Sequence, residues 1–232
     1  SYRGVVLTAS YEARPFNVGS AMPMGEARRR CPHALVVSPR FARYQEISEQ
    51  IMDVFSYFSP YVEALSLDEA FLDMSGAEHF FGAPEEMGRR IKAAVKDVTH
   101  LNISVGVSGT KYVAKVASAH DKPNGLTVVP QHKAVNWLAT QPVNRLWGVG
   151  PKTTPKLNQL GFHTIGQIAK AERRSLVHQL GARGGHLHDL ANARDPRRVS
   201  RGRSAKSIGS DRTLSQDVSD RRDIELYLRR SA

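Results

Sequence analysis

Two adjacent carboxylates, Asp68 and Glu69, stand between apolar runs in the segment SLDEAFLD. Burying adjacent acids is costly unless a cation or a hydrogen-bonding partner compensates their charge. Mg²⁺ binds carboxylate oxygens and keeps its other positions for water and substrate phosphates. The pair is therefore a candidate site for metal-assisted phosphoryl transfer. A hairpin turn whose acids face water fits the same spacing, and spacing alone favours that turn. Asp73 lies close by and is interpreted as structural.

A second cluster combines hydroxyl groups with a guanidinium in the segment TASYEARPF. Thr8, Tyr11 and Arg14 surround the end of a short apolar run. An arginine fork matches phosphate oxygens, and the two hydroxyls supply further hydrogen bonds. The alternative is an ordinary ion pair between Arg14 and Glu12 or another surface acid.

Lys122 begins the turn KPNG, which follows a predicted helix. A rigid turn would fix its ammonium toward a bound triphosphate. The alternative is an exposed lysine at a helix C-terminus, where a cation interacts favourably with the helix dipole. Lys111 and Lys115 on the preceding helix are interpreted as solvent-exposed side chains.

Glycines flank a tight turn in the segment LWGVGPKTTPKL. Gly148 and Gly150 lack a Cβ atom, so the backbone there can approach a ligand closely. Lys152 and Lys156 lie one turn apart on the helix predicted next. The pattern is typical of a helix-hairpin-helix, which holds a DNA phosphate without reading the base sequence. A glycine-capped corner between two helices is the alternative. A glycine-bearing helical pair around residues 180–188 is a candidate repeat.

Strands and helices alternate over the first 144 residues, which predicts a structure that positions these groups. We expect helices to cover one face of a small, mostly antiparallel sheet, an α+β architecture. The apolar patterns predict strands at 5–10, 62–67, 69–74, 103–108 and 126–129, and helices at 24–30, 44–58, 84–98 and 111–119. The two strands around Asp68 resemble a tight hairpin.

The pattern changes from residue 136, where short helices are separated by glycines. This indicates a small all-helical domain that ends near residue 196. The segment 197–206 is charged, contains Gly and Ser, lacks periodicity and is typical of a linker. Residues 207–232 have the pattern of a strand, a turn and the start of a helix, which is too little to bury a core. We interpret them as the beginning of a truncated third domain.

Charge is concentrated in one part of the chain. The 232 residues carry a net charge of +11, of which +10 lies between Arg145 and Lys206. A concentrated basic block indicates a polyanionic partner, and nucleic acid is the leading candidate. A membrane surface is disfavoured, because the block has no strongly apolar face. The lone cysteine, Cys31, excludes an internal disulfide and is expected to be a small buried side chain.

Four segments in this order and spacing resemble the Y-family translesion DNA polymerases, and most nearly their bacterial DinB branch. They are SYEARPFNVGSAMP, SLDEAFLDMSG, SVGVSGTKYVAKVASAHDKPNG and LWGVGPKTTPKL. The resemblance covers essentially the whole chain, and four motifs in register make it specific. One departure is Asn17, which stands where the family usually has a glycine.

The resemblance implies a right-hand polymerase: fingers at 1–40, palm at 41–135, a helix-hairpin-helix thumb at 136–196, a basic linker at 197–206 and the start of the little finger at 207–232. It implies that Asp68 binds metal and that Glu69 is the adjacent catalytic acid. The residues implied to hold the incoming triphosphate are Thr8, Tyr11, Arg14 and Lys122. The glycine turn, Gly148 and Gly150, would bring backbone amides to a primer-strand phosphate.

The reaction implied by the resemblance is addition of dNTPs to a primer 3′ end, assisted by two Mg²⁺ ions. The implied partners are primer–template DNA and, for the full-length protein, a sliding clamp. The implied state is a monomer in the bacterial cytoplasm, associated with the nucleoid. The family's first motif, with a further metal-binding Asp and an aromatic steric gate, is expected before Ser1. We therefore expect these 232 residues alone to be inactive or severely impaired.

Two other functions fit parts of the pattern. A catalytically inactive relative would bind DNA without extending it, but such a relative is expected to lose the acidic pair. A palm-like nucleotidyl cyclase would use similar acids and metals without DNA. The basic helix-hairpin-helix region argues against the cyclase.

Overall fold

The computed structural model describes residues 3–201, 209, 214 and 217–229. The helices in these ranges are α1 (Met24–Arg30), α2 (Phe41–Phe58), α3 (Glu78–Phe81), α4 (Pro84–Thr99), α5 (Lys111–Ser118), α6 (Ala134–Ala139), α7 (Thr153–Gln159), α8 (Ile165–Lys170), α9 (Arg173–Leu180), α10 (Ala182–Ala191) and α11 (Arg221–Arg229). The strands are β1 (Val62–Ala64), β2 (Ala70–Leu72), β3 (Val105–Ser108) and β4 (Leu126–Val129). In the described part of the chain, no helix is long and apolar enough to cross a bilayer.

The chain divides into two units, Ser1–Arg40 with Ser204–Ala232 and Phe41–Arg203. The first unit holds α1, α11 and a small apolar core. That core consists of Val6, Val18, Ala27 and Cys31, so Cys31 is buried as predicted.

The strand predicted at 5–10 is wrong. Only an isolated antiparallel bridge between Val5 and Pro23 forms there. Val5 and Leu7 are 57% and 50% exposed, whereas Val6 between them is buried in the small core, so only one face of the run is covered. A run of this composition becomes a strand only when a partner completes its hydrogen bonds, and no partner strand lies beside it among the described residues.

The second unit contains two separate strand pairs. β1 and β2 are antiparallel, with Val62 opposite Leu72 and Ala64 opposite Ala70, which confirms the predicted hairpin. β3 and β4 are parallel, with Val105 opposite Leu126. The expectation of one mostly antiparallel sheet is therefore wrong for the described residues. The reason is the connection: α5 lies between β3 and β4, and a helical crossover brings two strands together in parallel.

Helices α2 and α4 pack their apolar faces against the strands. Their buried side chains form one cluster, which comprises Phe55, Phe58, Ile91 and Val95. The predicted helix at 44–58 begins three residues earlier, at Phe41, and the helix predicted at 84–98 ends at Thr99. His100 follows in the left-handed conformation, with φ of 61°, and its N–H bonds to the Lys96 carbonyl, which ends α4.

Helices α6 to α10 share a larger core with α5. Tyr112, Leu157, Ile168 and Leu187 are almost completely buried within it. Apolar packing therefore continues across residue 135, and the predicted boundary between palm and thumb stays a prediction.

The candidate repeat around residues 180–188 has one exposed glycine turn, at Gly181, which lies between α9 and α10 with φ of 67°, and its binding role stays a prediction. A Cβ at Gly184 would overlap the Leu176 carbonyl, so this glycine lets α10 approach α9 closely. Gly184 and Gly185 are buried inside α10 and expose no turn to a phosphate. The fold class is confirmed as α+β with an all-helical region after the strands.

Candidate active site

The acidic pair lies in the loop that joins β1 to β2. The loop is closed by the N–H groups of Leu65 and Ser66, which both donate to the Glu69 carbonyl, at 2.8 and 3.3 Å. The Ser66 hydroxyl donates to Asp68 Oδ1 at 2.6 Å. Asp68 and Glu69 are both exposed, so the hairpin presents two carboxylates to solvent rather than burying them. Asp73 instead accepts the N–H of Ser75 at 3.0 Å and shapes the following turn.

Lys115 extends from α5 to the acidic pair. Its Nζ lies 2.6 Å from Glu69 Oε2, and the two side chains are about a third and about half exposed. The interpretation of Lys115 as a plain solvent-exposed lysine is therefore wrong. α5 turns this lysine toward a hairpin 46 residues earlier in the chain. A pair this exposed contributes only ~0.2–1 kcal/mol to stability, so its main effect is to orient the Glu69 carboxylate.

A second ion pair, missed in the sequence, lies beneath the hairpin. Lys111 Nζ is 2.6 Å from Glu63 Oε2, and both side chains are less than 10% exposed. The prediction that Lys111 is solvent-exposed is therefore wrong. Burial raises the pKa of Glu63, but the hydrogen bond from Lys111 and the N–H of Ser200 outweigh burial and hold that pKa below its ordinary value. In the sequence, the one feature that pointed to this ion pair was a single acid, Glu63, within the short strand β1.

The first residues of the predicted linker contact the same hairpin. The Ser200 N–H donates to Glu63 Oε2 at 2.8 Å, and Arg201 Nε donates to the Pro60 carbonyl at 2.6 Å. Asp195 is buried, accepts the N–H of Tyr112 at 3.1 Å and binds Arg197. The described part of the linker is thus fixed to the second unit.

Trp147 lies between the hairpin and the linker. Its ring centroid is 6.1 Å from that of Phe71 on β2, and the Arg197 guanidinium stacks over it at 4.3 Å. Lys115 Nζ lies 5.9 Å from the same ring. Trp147 directly precedes the glycine turn, so these contacts join that turn to the strand that follows the acidic loop.

The glycine turn leads into α7 and has an exposed, open backbone. Gly148 has φ of 88°, and a Cβ at Gly150 would meet nothing within 4 Å. Within the described ranges, the N–H groups of both glycines have no hydrogen-bond acceptor. Lys152 immediately precedes α7 and Lys156 lies within it. Arg183 of α10 donates to the Gly148 carbonyl.

A basic cleft of about 210 Å³ opens beside this turn. Its lining residues are Lys152, Thr153, Lys156, Gln179, Leu180, Arg183 and Leu187. Three of these side chains are cationic and none is acidic, so the cleft is suited to an anion such as a backbone phosphate.

Lys122 is exposed on the turn between α5 and β4. In the part of the chain that the structure describes, its ammonium has no ion pair or hydrogen bond. Asp121 beside it accepts the Thr127 hydroxyl at 3.1 Å. Lys122 is therefore a cation held on an ordered turn and available to a ligand.

The cluster of Thr8, Tyr11 and Arg14 belongs to the first unit. The Arg14 guanidinium lies 4.0 Å from the Tyr11 ring centroid, and its Nε donates to the Ala9 carbonyl at 3.3 Å. The alternative ion pair with Glu12 does not form, and Thr8 is exposed. Arg14 therefore keeps terminal N–H groups for an external acceptor.

Comparisons with known proteins agree with these motifs. The model of the impB/mucB/samB family matches residues 1–119, and the model of its helix-hairpin-helix motif matches residues 136–162. The chain is 46% identical to the DNA polymerase IV of Halorhodospira halophila over 97% of its own length and 64% of that protein. It is 45% identical to the DNA polymerase IV of Streptomyces coelicolor, over 94% of its own length and 46% of that protein. The chain thus spans about half to two thirds of the length of such relatives.

Solved structures show the same fold. A Y-family DNA polymerase chimera of Dbh and Dpo4 superposes with a TM-score of 0.88 at 29% identity, covering all of this chain and 67% of the chimera. DinB from Sulfolobus solfataricus superposes with a TM-score of 0.78 at 30% identity, covering 84% of this chain and 58% of that protein. With two family models matched in order and both halves of the fold shared, the chain belongs to the impB/mucB/samB family, the Y-family DNA polymerases of the DinB type.

Proposed function

We propose that the full-length protein is a template-directed DNA polymerase of the translesion type. It adds dNTPs to a primer 3′ end opposite damaged or undamaged template. The observation that carries this proposal is the exposed Asp68–Glu69 pair on the β1–β2 loop, with Lys115 bound to Glu69. A site for cations and phosphates requires accessible carboxylates, and here Ser66 bonds Asp68 while Lys115 bonds Glu69.

Two Mg²⁺ ions are the proposed cofactors, and the donors present fit this ion. Mg²⁺ in phosphoryl-transfer sites is held by one or two carboxylates, while substrate phosphates and water fill its other positions. Asp68 and Glu69 would supply those carboxylates. No group of three or more His, Cys, Asp or Glu that could hold a metal ion occurs within the described ranges. Bound Mg²⁺ would stabilise charge on the attacking and leaving oxygens.

The chain's own residues would bind and orient the nucleotide. Lys115 holds the Glu69 carboxylate in one orientation. Lys122, which has no partner within the described ranges, would bind the triphosphate as a point charge, and the Arg14 fork would bind phosphate oxygens in pairs. The hydroxyls of Thr8 and Tyr11 would donate further hydrogen bonds to phosphate oxygens beside Arg14.

Primer–template DNA is the proposed macromolecular partner. The free N–H groups of Gly148 and Gly150 would bind a primer-strand phosphate, and Lys152 and Lys156 would add charge beside it. One neighbouring structure is described as an insertion ternary complex of Dbh DNA polymerase, and it superposes with a TM-score of 0.76 at 30% identity. We further propose that the full-length protein acts as a monomer and is recruited by a sliding clamp.

Primer extension by the full-length protein with Mg²⁺ tests the proposal, on undamaged templates and on templates with an abasic site. Asp68→Ala and Glu69→Gln should each reduce the rate by on the order of 10³-fold, because several kcal/mol of charge stabilisation are lost. Asp97→Ala is the control, since Asp97 is an exposed acid on α4.

Extension at wild-type rate by either active-site variant would show that the metal site is assigned wrongly. A wild-type protein that binds primer–template but never extends it would instead identify an inactive DNA-binding relative.

A further inference from the structure

Lys92 on α4 is a cation held entirely by neutral oxygens. Its Nζ donates to the carbonyls of Ile103 and Asn124 at 2.7 and 2.8 Å, to Asn124 Oδ1 at 2.6 Å and to the Gly125 carbonyl at 3.2 Å. Within the described residues it has no carboxylate partner. Burial of the ammonium lowers the pKa of Lys92.

These acceptors belong to two different segments of the chain. Ile103 lies just before β3, whereas Asn124 and Gly125 end the turn that leads into β4. One ammonium therefore joins the entry of two neighbouring strands. Asn124 has φ of 57°, in the left-handed region, and both its backbone carbonyl and its side-chain oxygen accept from Lys92.

The same turn is also bonded by Ser104 and Val105 at the entry of β3. The Val105 N–H donates to the Gly125 carbonyl at 3.0 Å, and the Gly125 N–H donates to the Ser104 hydroxyl at 3.2 Å. A Cβ at Gly125 would overlap the Asp121 carbonyl, so the turn is closed tightly. Lys122 lies at the exposed side of the turn and has no partner among the residues that the structure describes.

We propose that Lys92 is a positioning residue for nucleotide binding: it fixes the 121–125 turn so that the Lys122 ammonium is presented to the incoming triphosphate. This inference rests on the proposed function, and specifically on the role of Lys122. A purely structural link would favour an apolar contact or a compensated charge over an ammonium without a counter-ion. Here the uncompensated charge also adds to the positive field beside Lys122.

The test compares Lys92→Met with Lys122→Met and with the double variant in the full-length protein. Single-turnover incorporation gives the apparent Kd for dNTP and the maximal rate, and titration with labelled primer–template gives the DNA Kd. Lys92→Met should raise the dNTP Kd by about 5–10-fold, the effect of misplacing one charged hydrogen-bond donor. The maximal rate and the DNA Kd should stay within about twofold, and Lys92→Arg should recover part of the loss.

Lys96→Met is the matched control. Lys96 lies one turn further along α4, and within the described part of the chain its Nζ donates only to the His100 carbonyl, at 2.8 Å. This variant should leave the dNTP Kd unchanged. Because Lys92 acts through Lys122, the double variant should bind dNTP no more weakly than Lys122→Met alone.

Three results would overturn the inference. The first is a normal dNTP Kd in Lys92→Met when Lys122→Met is impaired. The second is an effect that multiplies with that of Lys122→Met. The third is an equal loss of DNA binding and dNTP binding with a lower Tm, which indicates a purely structural role. If Lys122→Met itself binds dNTP normally, the proposed role of Lys122 fails instead, which separates the two outcomes.

Discussion

Replacing Lys111 by Met should destabilise the second unit strongly, because it leaves the Glu63 carboxylate buried without its counter-ion. Both side chains are less than 10% exposed, and their charged atoms lie 2.6 Å apart. Removing one partner of such a pair costs about 3–5 kcal/mol. Glu63→Leu should cost a similar amount, since among the described residues the Lys111 ammonium then keeps only the Arg198 carbonyl as a hydrogen-bond acceptor, at 3.3 Å.

The double variant Glu63→Leu with Lys111→Met should cost much less than the sum of the single changes. Replacing both charges by apolar groups removes the desolvation penalty together with the attraction. The control pair is Glu85 and Arg89, which are exposed and four residues apart on α4. Disrupting that pair should cost only about 0.3–0.5 kcal/mol.

Urea unfolding of the 232-residue chain, followed by tryptophan emission, measures these effects. Trp137 and Trp147 are the chain's two tryptophans, and both lie in the second unit, so their emission reports on its unfolding. A cost below about 1 kcal/mol for both single variants, or additive costs in the double variant, would refute the assignment of a tightly coupled buried pair.

The pH dependence gives the same pair a second test. The folded pKa of Glu63 lies below its ordinary value. Its contribution to stability is therefore complete above the unfolded pKa of about 4.3 and is lost as the pH falls toward the folded pKa. Glu63→Gln should lose less stability than the wild type over that acidic interval. Parallel curves of unfolding free energy against pH for the wild type and Glu63→Gln would show that the Glu63 carboxylate contributes no stability on folding.

Three further predictions concern single positions. Tyr112→Phe should raise the free energy of unfolding by about 1 kcal/mol, because the Tyr112 hydroxyl is buried without a hydrogen-bond partner among the described residues. A lower free energy of unfolding, measured with urea, would show that the hydroxyl has a hydrogen-bond partner. Gly184→Ala should lower the free energy of unfolding by about 1–3 kcal/mol, because its Cβ would overlap the Leu176 carbonyl. Gly150→Ala should leave the free energy of unfolding unchanged and weaken DNA binding. Equal losses of stability for the two variants in urea unfolding would contradict this difference. The plot of log DNA affinity against log salt should be steep, and Lys152→Ala should flatten its slope by about 0.9; an unchanged slope would remove Lys152 from the interface.

Local features were predictable from the sequence because their causes are local. α1 and β4 were predicted residue for residue, since the first is a basic run before Pro32 and the second an apolar run before Pro130. The hairpin around Asp68 followed from two apolar runs separated by polar residues. Motif order was enough to identify the family. The roles of the predicted site residues stay predictions.

The tertiary structure decided which side chains meet. Lys111 and Glu63 are 48 residues apart, and neither residue's neighbours in the chain indicate the other. The same holds for Lys115 with Glu69, and for Lys92, whose acceptors include Asn124, 32 residues away. Whether a lysine is solvated, buried in a pair or held by carbonyls depends on the packing of segments that are distant in sequence. Periodicity places a residue on a helix face, but only the folded chain determines what that face contacts.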